Sequence, residues 1–515
     1  MRRTLRSVGA MTVSSAVAIT VAACGSGGSS ADSDGVLKYG YPMAVAGLHL
    51  DPAKAYGDYD LGYFKLFYGS LLREASDGTF TPWMAENVEV VDPSTVRITL
   101  REGVTFSDGA PFDAEAVKTS LMHAKNPQTP AAKANLDSGL KAVDSIEVVN
   151  PLTAVVTLSK PVAGEFYAEL ARRPGSIISP KQLAENPDQI DTMPVGAGPF
   201  VVAEHQAGQV LSVRKNPDYW NAESVELQGV DVVNTPTGPQ HANGLLAGAL
   251  DWASYVSVDS AASIESDDAF DTKVSNRTNV YLNMCTSKPP FDNEKFRQAI
   301  QIGIDRSALS DRVYKGLADP AYSVNPSEGG ESEGSLASAV TYDPERAKQL
   351  LAESGVANPT VELHFPATTN LGQEAEALQA QLEAIGVKVN ITSDRDALAA
   401  FSVPQLPGAL LQFYVGHTGY SQYASFFRGG SSQALCGVNR QDVMDVIDGA
   451  AGLSPDDPGA VAAYDQAGTL VADHAYLIPI VTYPNVQAWR SDLIDGEVTV
   501  DALGFVDFDK VKLAR

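Results

Sequence analysis

Tyr414, His417, Tyr420 and Tyr423 fall within one short stretch, Gln412–Tyr423. A phenol offers a flat apolar face for stacking and a hydroxyl for hydrogen bonding, so this set suits non-covalent recognition of a peptide, a sugar or a chelate. Each tyrosine could equally be a core residue with its hydroxyl satisfied. His417 could contact a metal chelate, although a lone histidine is more often a hydrogen-bonding core residue. Covalent chemistry finds less support. The histidines His49, His123, His205, His241, His364, His417 and His474 are scattered, with no H-E-x-x-H and no Cys/His ligand spacing. No Gly-Lys dipeptide occurs, which excludes a Walker A loop and hence ATP hydrolysis by that motif. We expect no catalytic residues, no metal and no cofactor.

Such residues need a scaffold, and the periodicities describe one. Alternation in Val96–Leu100 and in Val210–Arg214 predicts half-buried strands, with Asp92-Pro93-Ser94 as a turn before the first. Asp113 is a good N-cap for a helix whose Ala114, Val117 and Leu121 share one face. Val361–Phe365, a helix aligned on Leu378, Leu382 and Ile385, a stop at Gly386 and a strand Val387–Ile391 form a β-α-β unit with parallel strands. Strands and helices mix along the whole chain, so the fold class is α/β. At 515 residues the chain exceeds one core, and two or three lobes are expected.

The formal charge of -26 repels phosphate backbones, and no basic patch offsets it, so nucleic acid is excluded as a partner. Arg2, Arg3 and Arg6 precede a mildly apolar run, Val8 to Ala23, that closes in Val21-Ala22-Ala23-Cys24. These are the regions of a signal peptide, 1–23. Gly25 to Gly35 (GSGGSSADSDG) then reads as a flexible tether reaching about 18 Å. Beyond Cys24 only Cys285 and Cys436 remain. In an oxidising compartment they could form a disulfide; two buried free thiols are the alternative.

Several runs carry a family resemblance. Gly103-Val104-Thr105-Phe106-Ser107-Asp108-Gly109-Ala110-Pro111-Phe112 resembles a signature of the extracellular solute-binding proteins of peptide and nickel ABC importers, the large three-domain type. Leu71-Leu72-Arg73, Gly78 to Glu86, Gly196-Ala197-Gly198-Pro199-Phe200, Lys215 to Trp220, Pro290-Phe291-Asp292, Arg297-Gln298-Ala299, Ile304-Asp305-Arg306 and Tyr342 to Ala347 continue the likeness. Val21 to Cys24 is similar to the lipobox of bacterial lipoproteins, with Cys24 as the acylated residue. Physically the importer motifs are scaffold. Ser107-Asp108-Gly109 reads as a turn, and Arg297, beside Asp305 and Arg306, is expected to make structural ion pairs.

The resemblance implies a two-lobed periplasmic-binding-protein-like fold with a hinge and an extra inserted domain. The first lobe would comprise 36–60, 196–278 and 474–515, the insertion 61–195 and the second lobe 279–473, after a lipidated Cys and tether at 24–35. In peptide-binding members an aromatic residue and then an acid follow a strand of the second lobe, and the acid pairs with the peptide amine. Here Tyr414 takes the aromatic place and His417 the acidic one. Neutral imidazole supplies no countercharge to an ammonium group. Tyr56, Tyr281 and Asn283 are further ligand candidates near the lobe junctions. The function implied is a monomeric, lipid-anchored receptor outside the cell membrane that gives a peptide-sized solute to ABC permease subunits. Alternatives are a nickel chelate, a siderophore, haem or an oligosaccharide as solute, then a secreted hydrolase, then a surface sensor or adhesin.

Overall fold

The computed structural model describes residues 35–41, 49–55, 60–134, 136–235, 239–325, 336–367, 371–394, 408–414, 418–431 and 433–514. Cys24, Tyr56 and His417 lie outside them.

In chain order, β1 (Val36–Tyr41) precedes a short antiparallel pair, β2 (Leu72–Glu74) and β3 (Phe80–Pro82). Strands β4 (Ala85–Asp92), β5 (Thr95–Leu100), β6 (Val143–Asn150) and β7 (Thr153–Leu158) form a four-stranded antiparallel sheet, order β4-β5-β7-β6. Then come β8 (Phe200–Gln206), β9 (Val210–Lys215), β10 (Gly229–Asn234), β11 (Trp252–Ala253), β12 (Phe270–Met284), β13 (Thr360–Pro366), β14 (Lys388–Asp394), β15 (Ala409–Tyr414) and β16 (Leu477–Arg490). With β1 they make one ten-stranded sheet, order β14-β13-β15-β12-β16-β11-β1-β10-β9-β8. A last pair, β17 (Ile494–Asp495) and β18 (Lys512–Leu513), closes the chain.

The alternation at 96–100 produces β5, where Val96, Ile98 and Leu100 are fully buried. The helix Ala114–Ala124 lies against this sheet and buries Ala114, Val117 and Leu121, while the Asp113 carboxylate accepts from the Ala116 N–H at 2.9 Å. The preceding motif is a tight turn. Gly109 has φ +79°, and Asp108 accepts from the Ala110 N–H at 3.0 Å and from the Ser179 hydroxyl at 2.6 Å. The β-α-β reading holds as well: β13 and β14 are parallel neighbours, and the helix Gly372–Ala384 between them buries Leu378 and Leu382.

β12 and β16 organise the sheet. They pair antiparallel from Phe270 opposite Arg490 to Asn283 opposite Leu477, with register breaks between Ser275 and Thr278 and between Val280 and Tyr281. β13, β14 and β15 lie on one side of this ribbon; β11, β1, β10, β9 and β8 lie on the other. A bulge bends a strand and sharpens its twist, so the breaks at 275–281 let the two halves of the sheet adopt different orientations. Val280, Leu282 and Met284 pack into a core that lies within residues 280–481.

Two buried clusters hold the parts. The Lys65 ammonium meets Asp501 at 2.9 Å and Asp507 at 2.6 Å, and Arg73 meets Asp507 at 3.2 Å and Asp509 at 2.9 Å. Arg73 also covers the Trp83 ring at 3.8 Å. This fixes the 61–195 stretch to the C-terminal segment. In the other half, Cys285 and Cys436 form a disulfide, their Cα atoms 5.4 Å apart. Arg297 departs from the ion-pair expectation. It donates to the carbonyls of Phe291 (2.9 Å), Ala475 (3.2 Å) and His474 (2.8 Å), clamping loop backbone that has no strand partner there. Among the described residues, no helix is long and apolar enough to cross a membrane.

Candidate ligand-binding crevice

The strand directions place the site. β1 runs parallel to β10 and β11, with Tyr41 opposite Asn234 and Gly40 opposite Ala253. β11 leads from Trp252, opposite Trp489, to Ala253, opposite Ala488, and the Val256 N–H then donates to the Val486 carbonyl at 3.0 Å. These three strands therefore aim their carboxyl ends at the middle of the β12–β16 ribbon. From the other side, β15 runs from Ala409, opposite Met284, to Tyr414, opposite Asn279. β13 is parallel to β15 and β14 is parallel to β13, ending with Pro366 opposite Asp394. Six carboxyl ends thus converge on the ribbon at its register breaks. In open α/β sheets, ligands bind in the crevice outside the carboxyl ends of the strands. The segments that follow five of these ends, 42–48, 236–238, 368–370, 395–407 and 415–417, are outside the described residues.

The structure sorts the sequence-derived candidates. Tyr414 ends β15 at the crevice, half-buried, its hydroxyl 2.6 Å from the Ser425 hydroxyl and its ring edge-on to Phe426. Tyr281 and Asn283 share that face of the sheet, opposite Gln412 and Leu410, but the helix Gly419–Phe427 covers Tyr281 through Phe426, ring centroids 5.1 Å apart. Their polar groups hold loop backbone. The Tyr281 hydroxyl donates to the Val324 carbonyl at 2.6 Å, and the Asn283 amide donates to the Gln433 carbonyl at 2.9 Å. Tyr423 is a correction. It is fully buried between Phe427 and Tyr464 and donates to the Tyr464 carbonyl at 3.0 Å, so it is core. Tyr420 sits three residues earlier on the same helix face. It is buried and accepts from Arg428 at 2.8 Å; burial pushes its hydroxyl pKa up.

Three tyrosines were not singled out by the sequence. Tyr41 ends β1 and packs edge-on against Tyr63 at 4.9 Å and Tyr255 at 5.8 Å. The buried Tyr63 hydroxyl has no hydrogen-bond partner among the described residues, and burial holds its pKa far above the ordinary value. It is a neutral, buried donor. Tyr255 follows β11 at φ +52°, a left-handed conformation that costs a non-glycine residue about 1 kcal/mol or more and clusters at ligand clamps. Strand register brings Tyr41 and Tyr255 together and packing of the helix Leu61–Phe67 adds Tyr63, both non-local properties. In β15 the buried Gln412 amide nitrogen also has no acceptor among the described residues. Among the described residues no group of three or more His, Cys, Asp or Glu could hold a metal ion.

Comparison with known proteins agrees with this geometry. The pattern of bacterial extracellular solute-binding proteins, family 5 middle, matches residues 79–421. The glutathione-binding protein GsiB of Salmonella paratyphi A is 31% identical over 379 residues, which cover 71% of this chain and 72% of the relative. Among solved structures, the ABC transporter substrate binding protein CtaP of Listeria monocytogenes superposes with a TM-score of 0.80 at 21% identity, covering 94% of this chain and 100% of that one. A dipeptide binding protein from Pseudoalteromonas sp. SM9913, in complex with Met-Leu, superposes with a TM-score of 0.74 at 21% identity, covering 93% and 99%. At these identities the two structures speak for the fold alone.

Proposed function

The chain belongs to the bacterial extracellular solute-binding proteins of family 5, which serve ABC importers, and on that premise we propose a lipid-anchored, monomeric receptor that shuts two lobes on a small peptide and releases it unaltered to its permease. The convergence of six strand carboxyl ends on the β12–β16 ribbon carries this reading, because it puts the crevice where bending the ribbon would open and close it. The lobes are 36–60 with 196–278 and 474–515, and 279–473; the insertion is 61–195. Tyr414, His417, Tyr56, Tyr63 and Tyr255 form the contact set. Kinship with a glutathione-binding protein supports a glutathione-like peptide as the first solute to test. With His417 in the place of an acid, a plain dipeptide's ammonium group finds no countercharge at that position.

Titration calorimetry with reduced glutathione and with Met-Leu tests this. Glutathione is expected to bind more tightly, and Tyr414→Ala to weaken it about tenfold, while Tyr414→Phe, which keeps the ring, stays within about threefold. Binding of neither peptide, or turnover of glutathione in the mixture, would refute the reading. The anchor has its own test. Cys24→Ala is expected to shed the protein into the medium and to lose palmitate labelling; a labelled Cys24→Ala protein would rule out attachment there.

A further inference from the structure

We propose that the Gly164-Glu165 turn of the 61–195 stretch is a closure latch: it docks on the second lobe when the crevice shuts and sets solute affinity without touching the solute. This rests on the two-lobe reading above. The argument begins with what moves together. The 61–195 stretch rides with the first lobe through the Lys65–Arg73–Asp507 network and through main-chain bonds from Gly198 N–H to the Phe67 carbonyl (2.9 Å) and from Ser107 N–H to the Gly196 carbonyl (3.0 Å). On the same reading, although their buried side chains join the core that also takes in the 61–195 stretch, the helices Gly419–Phe427, Gln441–Ile447 and Pro458–Asp473 belong to the second lobe. The Cys285–Cys436 bond, Asn283 on the Gln433 carbonyl, Gln422 on the Tyr281 hydroxyl (2.8 Å) and Gln301 on the Ala472 carbonyl (3.0 Å) hold them there.

A contact nevertheless spans the two bodies, far from the ribbon in sequence. The N–H groups of Gly164 and Glu165 both donate to the Ala451 carbonyl, at 3.0 and 3.3 Å. The Thr418 hydroxyl donates to the Glu165 carboxylate, whose other oxygen accepts from Ser138 at 3.4 Å. The backbones meet too closely for side chains. A Cβ on Gly164 would fall 1.7 Å from the Leu453 carbonyl oxygen, and one on Gly452 would fall 2.6 Å from Pro93 Cβ. On the two-lobe reading, bending at the register breaks of β12 would make or break this contact.

Its position couples it to the crevice. Thr418 caps the helix Gly419–Phe427, so the Glu165 carboxylate holds the start of the helix whose Phe426 packs on Tyr414. Glu165 is buried beside Glu169, which accepts from the Gly139 and Leu140 N–H groups at 2.7 and 2.6 Å, and Asp137 is the next acid. Arg173 pairs with Asp137 and donates to the Ala55 carbonyl at 3.0 Å, immediately before Tyr56. Hydrogen bonds and an ion pair therefore link the Glu165 contact to residues 137–140 and, through Arg173, to the Ala55 backbone.

Gly164→Ala wedges this contact, and Glu165→Ala removes its side-chain half with less strain on the fold. Both are made in the mature full-length protein. Small-angle scattering of the solute-free protein should give a larger radius of gyration for either variant, with an unchanged circular dichroism spectrum. Glutathione dissociation should accelerate about tenfold, with association within about twofold of wild type, as for a loss confined to the closed state. Wild-type dimensions together with wild-type dissociation in Glu165→Ala would overturn the latch. Changed dimensions with no glutathione binding would leave the latch standing and reject the solute instead.

Discussion

Lys65→Met is expected to lower the free energy of unfolding by about 3–5 kcal/mol, the range found when one partner of a buried ion pair is removed. Lys65 is 7% exposed, and its ammonium lies between Asp501 and Asp507, at 5% and 3%. Methionine fills much of the same volume but leaves Asp501 without this cation and Asp507 with Arg73 and the more exposed Lys510. Burial opposes charge at Lys65, yet the two carboxylates outweigh it and raise its pKa above the ordinary value. Burial likewise opposes charge at Asp507, and Lys65, Arg73 and Lys510 outweigh it, holding its carboxyl well below the usual range. The signs give the pH window. The Asp507 contribution is complete above the unfolded carboxylate pKa of about 3.9 and fades as pH falls toward its depressed folded value; that of Lys65 is complete below about 10.4 and fades only above it. In urea unfolding of wild type this network's contribution should therefore hold through neutrality and be lost on the acid side. Lys65→Met should be lower throughout and fall less steeply in acid. A Lys65→Met/Asp501→Asn protein should recover part of the loss, which a double-mutant cycle measures. A loss below about 1 kcal/mol for Lys65→Met would mean that water reaches the network.

How much of this was visible in the chain depends on range. The Asp113 cap, the Asp108-Gly109 turn and the β13–helix–β14 unit rest on neighbours within a few turns, and spacing reports such features. Tyr423 was misplaced because a tyrosine at a helical spacing reads the same on a buried face as on a binding face. Arg297 was assigned to ion pairs because acids stand near it in sequence, whereas its guanidinium meets carbonyls of a loop some 180 residues further on. Tyr255 becomes a site candidate only through the register of β1 against β11, Tyr63 only through packing of its helix on Tyr41, and Glu165 becomes a latch only through a partner at 418. Motifs whose residues pack or cap locally carry the fold. The groups that would choose a solute sit at strand ends, where local sequence carries little structural constraint.

Glu374 supplies the second large effect, with the opposite sign to Asp507. It is fully buried on the helix Gly372–Ala384, and burial raises its pKa to about 7, although a hydrogen bond from the Tyr314 hydroxyl favours the charged form. Its folded pKa lies above the unfolded carboxyl value, so its contribution is complete below about pH 4.3 and is lost as pH rises through 7. The shift corresponds to roughly 3 kcal/mol between those limits. Unfolding of the second lobe, followed by near-ultraviolet circular dichroism, should become easier from pH 5 to pH 8 in the wild type. In Glu374→Gln, which cannot ionise, that slope should vanish and stability at pH 8 should exceed that of the wild type. Tyr314→Phe should push the midpoint higher, because the bond it removes stabilises the carboxylate. The consequence reaches the crevice. Tyr314 also packs edge-on to Tyr483, whose ring lies 5.1 Å from Phe413 and whose backbone pairs with Thr278 at the register break. Glu374 is thus connected, through Tyr314 and Tyr483, to the side of the ribbon about which the lobes would turn. An unchanged slope in Glu374→Gln would place the titrating group elsewhere.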